Sequence, residues 1–197
     1  LDYDNPYFLA NEVINSFTRN RVFGNIKADW EITPDLNLMG RYAIDYYDEE
    51  REGKIAPSYT REPNNGTYGI LNLRNYERNA DFLLTYSKIF DKFGMSVSGG
   101  GNARYNRSSS VRNSSSGGLV VPNVYTISNI TNSNLQYNSS WSQRAVYSVY
   151  GIANLSWNDI FYLDLTARND WSSTLPEENQ SFFYPSASLS VLLSEMV

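Results

Sequence analysis

Residues 145–171 read Ala145-Val146-Tyr147-Ser148-Val149-Tyr150-Gly151-Ile152-Ala153-Asn154-Leu155-Ser156-Trp157-Asn158-Asp159-Ile160-Phe161-Tyr162-Leu163-Asp164-Leu165-Thr166-Ala167-Arg168-Asn169-Asp170-Trp171. Ala145, Tyr147, Val149, Gly151, Ala153, Leu155 and Trp157 fall on one side of a two-residue period. Asn158-Asp159 turns the chain, and Phe161, Leu163, Leu165, Ala167 and Trp171 resume the same side. A period of two belongs to a β-strand, whose successive side chains point to opposite faces. The stretch predicts a hairpin whose apolar face begins and ends near aromatic rings.

The same alternation recurs along the chain. Val22, Gly24, Ile26, Ala28, Trp30 and Ile32 share a face, and after the corner Thr33-Pro34-Asp35 so do Leu36, Leu38, Gly40, Tyr42, Ile44 and Tyr46. Further strands carry Tyr76, Ala80, Phe82, Leu84 and Tyr86, then Phe93, Met95, Val97, Gly99, Gly101, Ala103 and Tyr105. A last strand lies near 184–193. The expectation is an all-β chain of about seven antiparallel up-and-down strands. Short turns are expected near 33–35, 90–92 and 158–160, and long polar loops near 1–18, 48–75, 106–142 and 172–183. A soluble sandwich has no reason to sort its connections by length, whereas a transmembrane barrel has short turns at one end and long loops at the other.

Composition removes other classes. The chain of 197 residues has no Cys and no His, so thiolate chemistry, disulfides, the commonest metal ligand and the usual general base are all missing. A net charge of −5 argues against nucleic acid, whose partners carry basic stripes. No apolar run is long enough for a membrane helix. Aromatic residues make up 15% of the chain, as strands and membrane-interface belts require.

Two counts favour the membrane wall. Tyr76 and Tyr86, Tyr147 and Trp157, and Phe161 and Trp171 are each ten residues apart, and Phe93 and Tyr105 twelve. Ten residues at about 3.3 Å span roughly 33 Å, and a tilt near 40° projects this to about 25 Å, the height of an outer-membrane apolar band. These eight residues are the expected interface girdle. The polar faces hold Lys27, Asp29, Glu31, Arg41, Asp45, Glu77, Asp81, Arg104, Asp164, Arg168 and Asp170, whereas the apolar faces hold only Arg78 and Lys88, near strand ends where long side chains snorkel.

Several segments resemble one family. Gly118-Leu119-Val120-Val121-Pro122-Asn123-Val124-Tyr125-Thr126-Ile127-Ser128-Asn129 looks like a loop segment of SusC/RagA-type TonB-dependent outer-membrane transporters. Arg168-Asn169-Asp170-Trp171-Ser172-Ser173-Thr174-Leu175-Pro176 is the most specific match. Tyr184-Pro185-Ser186-Ala187-Ser188-Leu189-Ser190, Ser148-Val149-Tyr150-Gly151 and Asn5-Pro6-Tyr7 match further segments in order. The resemblance implies part of a 22-stranded barrel in the Gram-negative outer membrane, set in its lipid. It also implies an N-terminal plug, TonB as energy coupler, a SusD-like surface lipoprotein as lid, and oligosaccharides or peptides as cargo. Seven strands cannot close such a barrel. The chain is therefore expected to be an interior stretch of a longer polypeptide, without the plug and the TonB box. The alternative reading is a soluble or surface-attached glycan-binding module, and a weaker third is a barrel adhesin.

The expected sites are few. Tyr59, Tyr68, Tyr125, Tyr137 and Trp141 lie in the long loops, where they could stack on a sugar or pack against a lid, or pack the loop on itself. Asp48-Glu49-Glu50 and Glu177-Glu178 read as solvated loop charge and not as paired catalytic carboxylates or calcium ligands. Gly99-Gly100-Gly101 lacks the helix and Lys-Ser/Thr of a phosphate cradle, and predicts a strand position where something approaches closely. No enzyme activity, metal or cofactor is expected.

Overall fold

The computed structural model describes residues 4–60 and 65–193. A short helix α1 (Pro6–Glu12) precedes strands β1 (Val13–Thr33), β2 (Leu36–Ile55), β3 (Thr67–Phe90), β4 (Phe93–Ser115), β5 (Leu135–Trp157), β6 (Phe161–Ser172) and β7 (Ser181–Val191). They form one antiparallel up-and-down sheet in which spatial order is sequence order.

The strands are longer than their apolar alternation. Residues 13–18, 48–55, 67–75, 106–115, 135–142 and 181–183, expected as loop, are strand and 6–12 form a helix, so the long connections shrink to 56–66, 116–134 and 173–180. The acidic, Asn- and Ser-rich composition misleads here because a strand is held by its neighbours' main-chain groups and needs no continuous apolar side.

No second layer covers this sheet among the described residues. Large apolar side chains stand free, Ile26 at 78% and Leu189 at 68% exposure. A one-layer sheet with an exposed apolar face is not a stable arrangement in water. The described residues do not form the two covered layers of a soluble sandwich.

The chain divides into two compact units. The first comprises Phe23–Asp45, Glu77–Asn106 and Gln143–Val197. Its three tight turns hold one another: Ser87 N–H donates to the Asp35 carbonyl at 2.8 Å, and Asn158 N–H donates to the Lys92 carbonyl at 2.7 Å. Asn158 and Asp159 both have positive φ (53° and 56°), a backbone these two residue types tolerate, and Ile160 N–H closes the reversal on Trp157. Registers are continuous, with Ala153 opposite Leu165 and Leu165 opposite Ala187. The triple glycine divides its labour. A Cβ on Gly100 would lie 2.9 Å from the Tyr150 ring, and one on Gly101 would lie 2.8 Å from the Phe82 ring. The close approach predicted for this segment is thus made at Gly100 first by the Phe82 carbonyl oxygen, 2.5 Å from such a Cβ, with the Tyr150 and Phe82 rings beside it, while Gly99 has open space.

The second unit comprises Leu1–Val22, Tyr46–Tyr76 and Arg107–Ser142. Its small core is Tyr68, Leu119 and Ile130, with Tyr125, Ile127 and Leu135 packed against it. Leu119, only 1% exposed, is the plug of this core. Asn129 is its polar hub: its amide nitrogen donates to the Val121 and Val124 carbonyls at 2.7 Å each, and its amide oxygen accepts from Val121 N–H at 2.9 Å. Segment 118–129 therefore has a structural rationale, because Leu119 supplies the apolar anchor and Asn129 satisfies a loop backbone that no strand pairs.

Candidate functional site

The chemistry of this chain sits on the polar face of the sheet. In the unit containing the short turns, Arg41 donates to Asp81 at 3.0 Å, and Arg104 grips Glu77 with two bonds of 3.0 and 2.8 Å. Asn102 donates to Asn79 at 2.5 Å, and Asn154 to Asp164 at 2.6 Å. Arg168 donates to Asp170 at 2.7 Å and to the Ser148 hydroxyl at 3.0 Å, with its guanidinium 5.8 Å from the Tyr150 ring. Every charge in this ladder has a partner beside or across the strand, which is how a wetted face stays ordered. Asn154, which sits in a glycosylation-type sequon, is spent on Asp164 within a strand.

Both charges expected on the apolar face also have partners. The Arg78 guanidinium stacks 4.8 Å from the Tyr105 ring, and Lys88 pairs with Asp35 at the turn. Of the eight girdle residues, Tyr147 lies directly opposite Trp171, and Trp157 opposite Phe161. Phe93 packs on Trp157 with ring centres 6.4 Å apart. Tyr76 is half-buried and Tyr86 lies on the same strand, β3. Segment 168–176 anchors the base of its loop: Ser173 Oγ accepts from Ala145 N–H at 2.9 Å, Ser173 N–H donates back to the Ala145 carbonyl at 2.9 Å, and Ser172 Oγ meets Thr174 Oγ1 at 2.9 Å.

In the second unit the loop aromatics separate into two groups. Tyr59 stacks on Phe8 with centres 6.3 Å apart. Tyr68 is buried, donates to Glu52 at 3.0 Å and packs 6.3 Å from Tyr125, which lies beneath the Lys54 ammonium. Tyr137 and Trp141 instead stand on β5, 71% and 69% exposed. Counting by twos along β5 puts them on the alternation of Tyr147. The opposite alternation carries the serine pairs Ser108–Ser142 and Ser110–Ser140, each at 2.8 Å.

One cluster corrects the reading of Glu49 as solvated loop charge. Its side chain is 1% exposed and is held by Arg19 from β1 and Arg51 from its own strand. Arg19 also lies 4.9 Å from the Tyr47 ring. The signal was present in Asp45, Tyr47, Glu49 and Arg51, which continue the polar alternation of β2. Arg19, Glu49 and Arg51 border an open cleft of about 600 Å³ shared with Asn15, Arg112 and Ser114.

The electrostatics of this unit imply an acid limit. Hydrogen bonding from Arg51, opposed by burial and reinforced by Arg19, holds the Glu49 carboxyl below its ordinary 4.5. Lys54 does the same for Glu52, with Tyr68 adding to it. Burial, with Glu52 beside it, pushes the Tyr68 hydroxyl up to about 12. Carboxyls with depressed folded values stabilise fully above about pH 4.5 and lose that stabilisation as pH falls through the lowered value. Tyr68 contributes below about pH 10 and loses its contribution towards 12. In the full-length protein the unfolding temperature is expected to fall as pH drops below about 4.5, with a smaller acid slope in Glu49→Gln. An identical slope in the variant would show that Glu49 carries none of it.

A single sheet with one ion-paired polar face, one apolar face and tight turns on one side defines a stretch of wall from a large up-and-down transmembrane β-barrel. No protein-family profile matches the chain. It is 24% identical over 192 residues, or 95% of its length, to TonB-dependent receptor P3 of Formosa agariphila, of which it spans 19%. Among solved structures, the RagAB peptide transporter superposes with a TM-score of 0.79 at 19% identity, over 93% of this chain and 21% of that one. The RagAB peptide importer in its 'open-open' state gives 0.78 at 18% identity, over 93% and 20%. The chain spans about a fifth of the relatives it matches. The resemblance to SusC/RagA-type TonB-dependent transporters carried by segments 118–129 and 168–176 extends over the fold as a whole.

Proposed function

We propose that this chain is wall and outer loop of a TonB-dependent importer in the Gram-negative outer membrane, taking up oligosaccharides or peptides with a SusD-like lipoprotein as lid. The observation that carries this reading is the pair of chemically opposite faces on one uncovered sheet. The ion-paired face suits a water-filled lumen, and the apolar face with its aromatic rows suits lipid. Tyr76, Tyr86, Phe93, Tyr105, Tyr147, Trp157, Phe161 and Trp171 are then the membrane-interface residues. Likeness to a TonB-dependent receptor and to the RagAB fold supports the same reading. Cargo passes along the polar face once the plug, carried elsewhere in the polypeptide, is displaced by TonB.

Within this reading Tyr137 and Trp141 are the aromatic contacts with the lipoprotein lid, since both are free and in register with the outward-facing Tyr147. Tyr59, Tyr68 and Tyr125 serve the lid or cargo indirectly, by shaping the loops that present them. The test is fractionation of cells making the native polypeptide. It is expected in the outer membrane, with a surface lipoprotein co-purifying, and its cargo uptake is expected to stop in cells lacking TonB. Recovery of the polypeptide in the soluble fraction would end this proposal.

A further inference from the structure

The cleft bordered by Arg19, Glu49, Arg51 and Arg112 carries more positive charge than its structural role needs. Three guanidinium groups line it against the Glu49 carboxylate. Glu52, also on its border, is already engaged by Lys54 at 2.8 Å and by Tyr68. This excess stands on a chain whose net charge is −5. Among the described residues Arg112 is exposed and has no carboxylate partner.

Glu49 orients the other two cations. It takes Nε and a terminal nitrogen of Arg19 and Nε of Arg51, yet both arginine side chains remain about half exposed. Each guanidinium has five N–H donors, so both retain donors directed away from Glu49. Two glycines on the cleft border pack closely on neighbouring side chains. A Cβ on Gly69 would meet Ser114 at 3.1 Å, and one on Gly53 would meet Asn15 at 3.3 Å. Oriented guanidinium groups on half-exposed side chains form a receptor for a planar anion, which Arg binds with two parallel bonds.

We infer that this cleft receives a carboxylate carried by the cargo, and that the importer discriminates acidic from neutral substrates there. The inference rests on the import reading above and adds the chemistry of the substrate. Arg112 is its free contact, and Glu49 is a positioning residue that fixes Arg19 and Arg51.

The experiment uses the full-length protein purified in detergent, with binding measured by calorimetry. The probes are a pentapeptide with three Glu and a Ser/Gly pentapeptide, both acetylated and C-terminally amidated, with tetragalacturonate and cellotetraose. At least one acidic probe is expected to bind at least tenfold more tightly than its neutral counterpart, and which one does so identifies peptide or uronate as the source of the carboxylate. Arg112→Gln is expected to weaken that probe about tenfold and leave the neutral ones unchanged, with Arg112→Lys recovering part of the loss. Equal binding of acidic and neutral probes, no binding of any, or an unaltered Arg112→Gln overturns the inference. A variant that lowers the unfolding temperature without touching affinity overturns it too, since the cleft would then hold another segment of the protein. Fractionation and TonB-dependent uptake of neutral cargo, followed in parallel, report on the import reading alone.

Discussion

Leu165→Arg is expected to block or severely impair membrane assembly of the full-length protein, while Thr166→Arg, one residue further, is expected to be tolerated. Leu165 sits in mid-β6, four residues from Phe161 and six from Trp171, and faces Ala153 and Ala187 across its neighbours. On the proposed lipid face this places it near the middle of the apolar band. An Arg at such a depth costs about 2–4 kcal/mol in an outer-membrane barrel, whereas lumen positions accept charge. The side chain also has no reachable water until it passes the aromatic row. Thr166 belongs to the other alternation, with Asp164 and Arg168 beside it. The measurement is the folded fraction in isolated outer membranes, read as the shift in gel mobility on heating. Equal folded fractions in the two variants would mean that the two faces of β6 meet the same solvent, and the lipid-and-lumen assignment would fail.

The second large effect is expected at Leu119→Ala. A buried Leu truncated to Ala costs about 2–5 kcal/mol, the higher values where the surroundings cannot close in. Here the surroundings are Tyr68 and Ile130, and strands β4 and β5 fix the two ends of the loop that carries Leu119, which limits how far it can close in. At about 1.4 kcal/mol per factor of ten, a loss near 3 kcal/mol raises local opening about a hundredfold. Amides of Val120, Val121 and Ile130, which bond within the loop and into its hub at Asn129, report this directly. Hydrogen exchange should accelerate at these positions and stay unchanged in β6 and β7. Unchanged exchange in the loop would show that the Asn129 bonds alone maintain it.

The two experiments address parts of the chain that differ in how readable they were. Alternation around Asn158-Asp159 sufficed for β5, β6 and the turn between them, because strand periodicity is a property of consecutive residues. The faces followed for the same reason, as did Lys88 near the end of β3, whereas Arg78, expected near a strand end, lies in mid-β3 because that strand begins at Thr67. Strand ends differ from expectation in 48–55, 67–75, 106–115 and 135–142, where acidic, Asn- and Ser-rich stretches read as loop although the strands continue. Segment 118–129 was recognisable as a pattern, yet nothing in the pattern says that Leu119 would plug a core or that Asn129 would hold three backbone groups.

Local order along a strand is dictated by the chain itself: the two-residue period assigns each side chain to a face before any partner is known. Tertiary structure alone decided which polar residues meet. Glu49 is 30 residues from Arg19, and Leu119 packs on a Tyr68 far back in the chain. Such pairs depend on strand register and on where a loop folds back. A shift of one residue in register turns every side chain of a strand to the other face, so no stretch read by itself contains that information. Glu49 is therefore an ordinary acidic residue within Asp48-Glu49-Glu50, and becomes a buried, doubly paired carboxylate only when β1 lies beside β2.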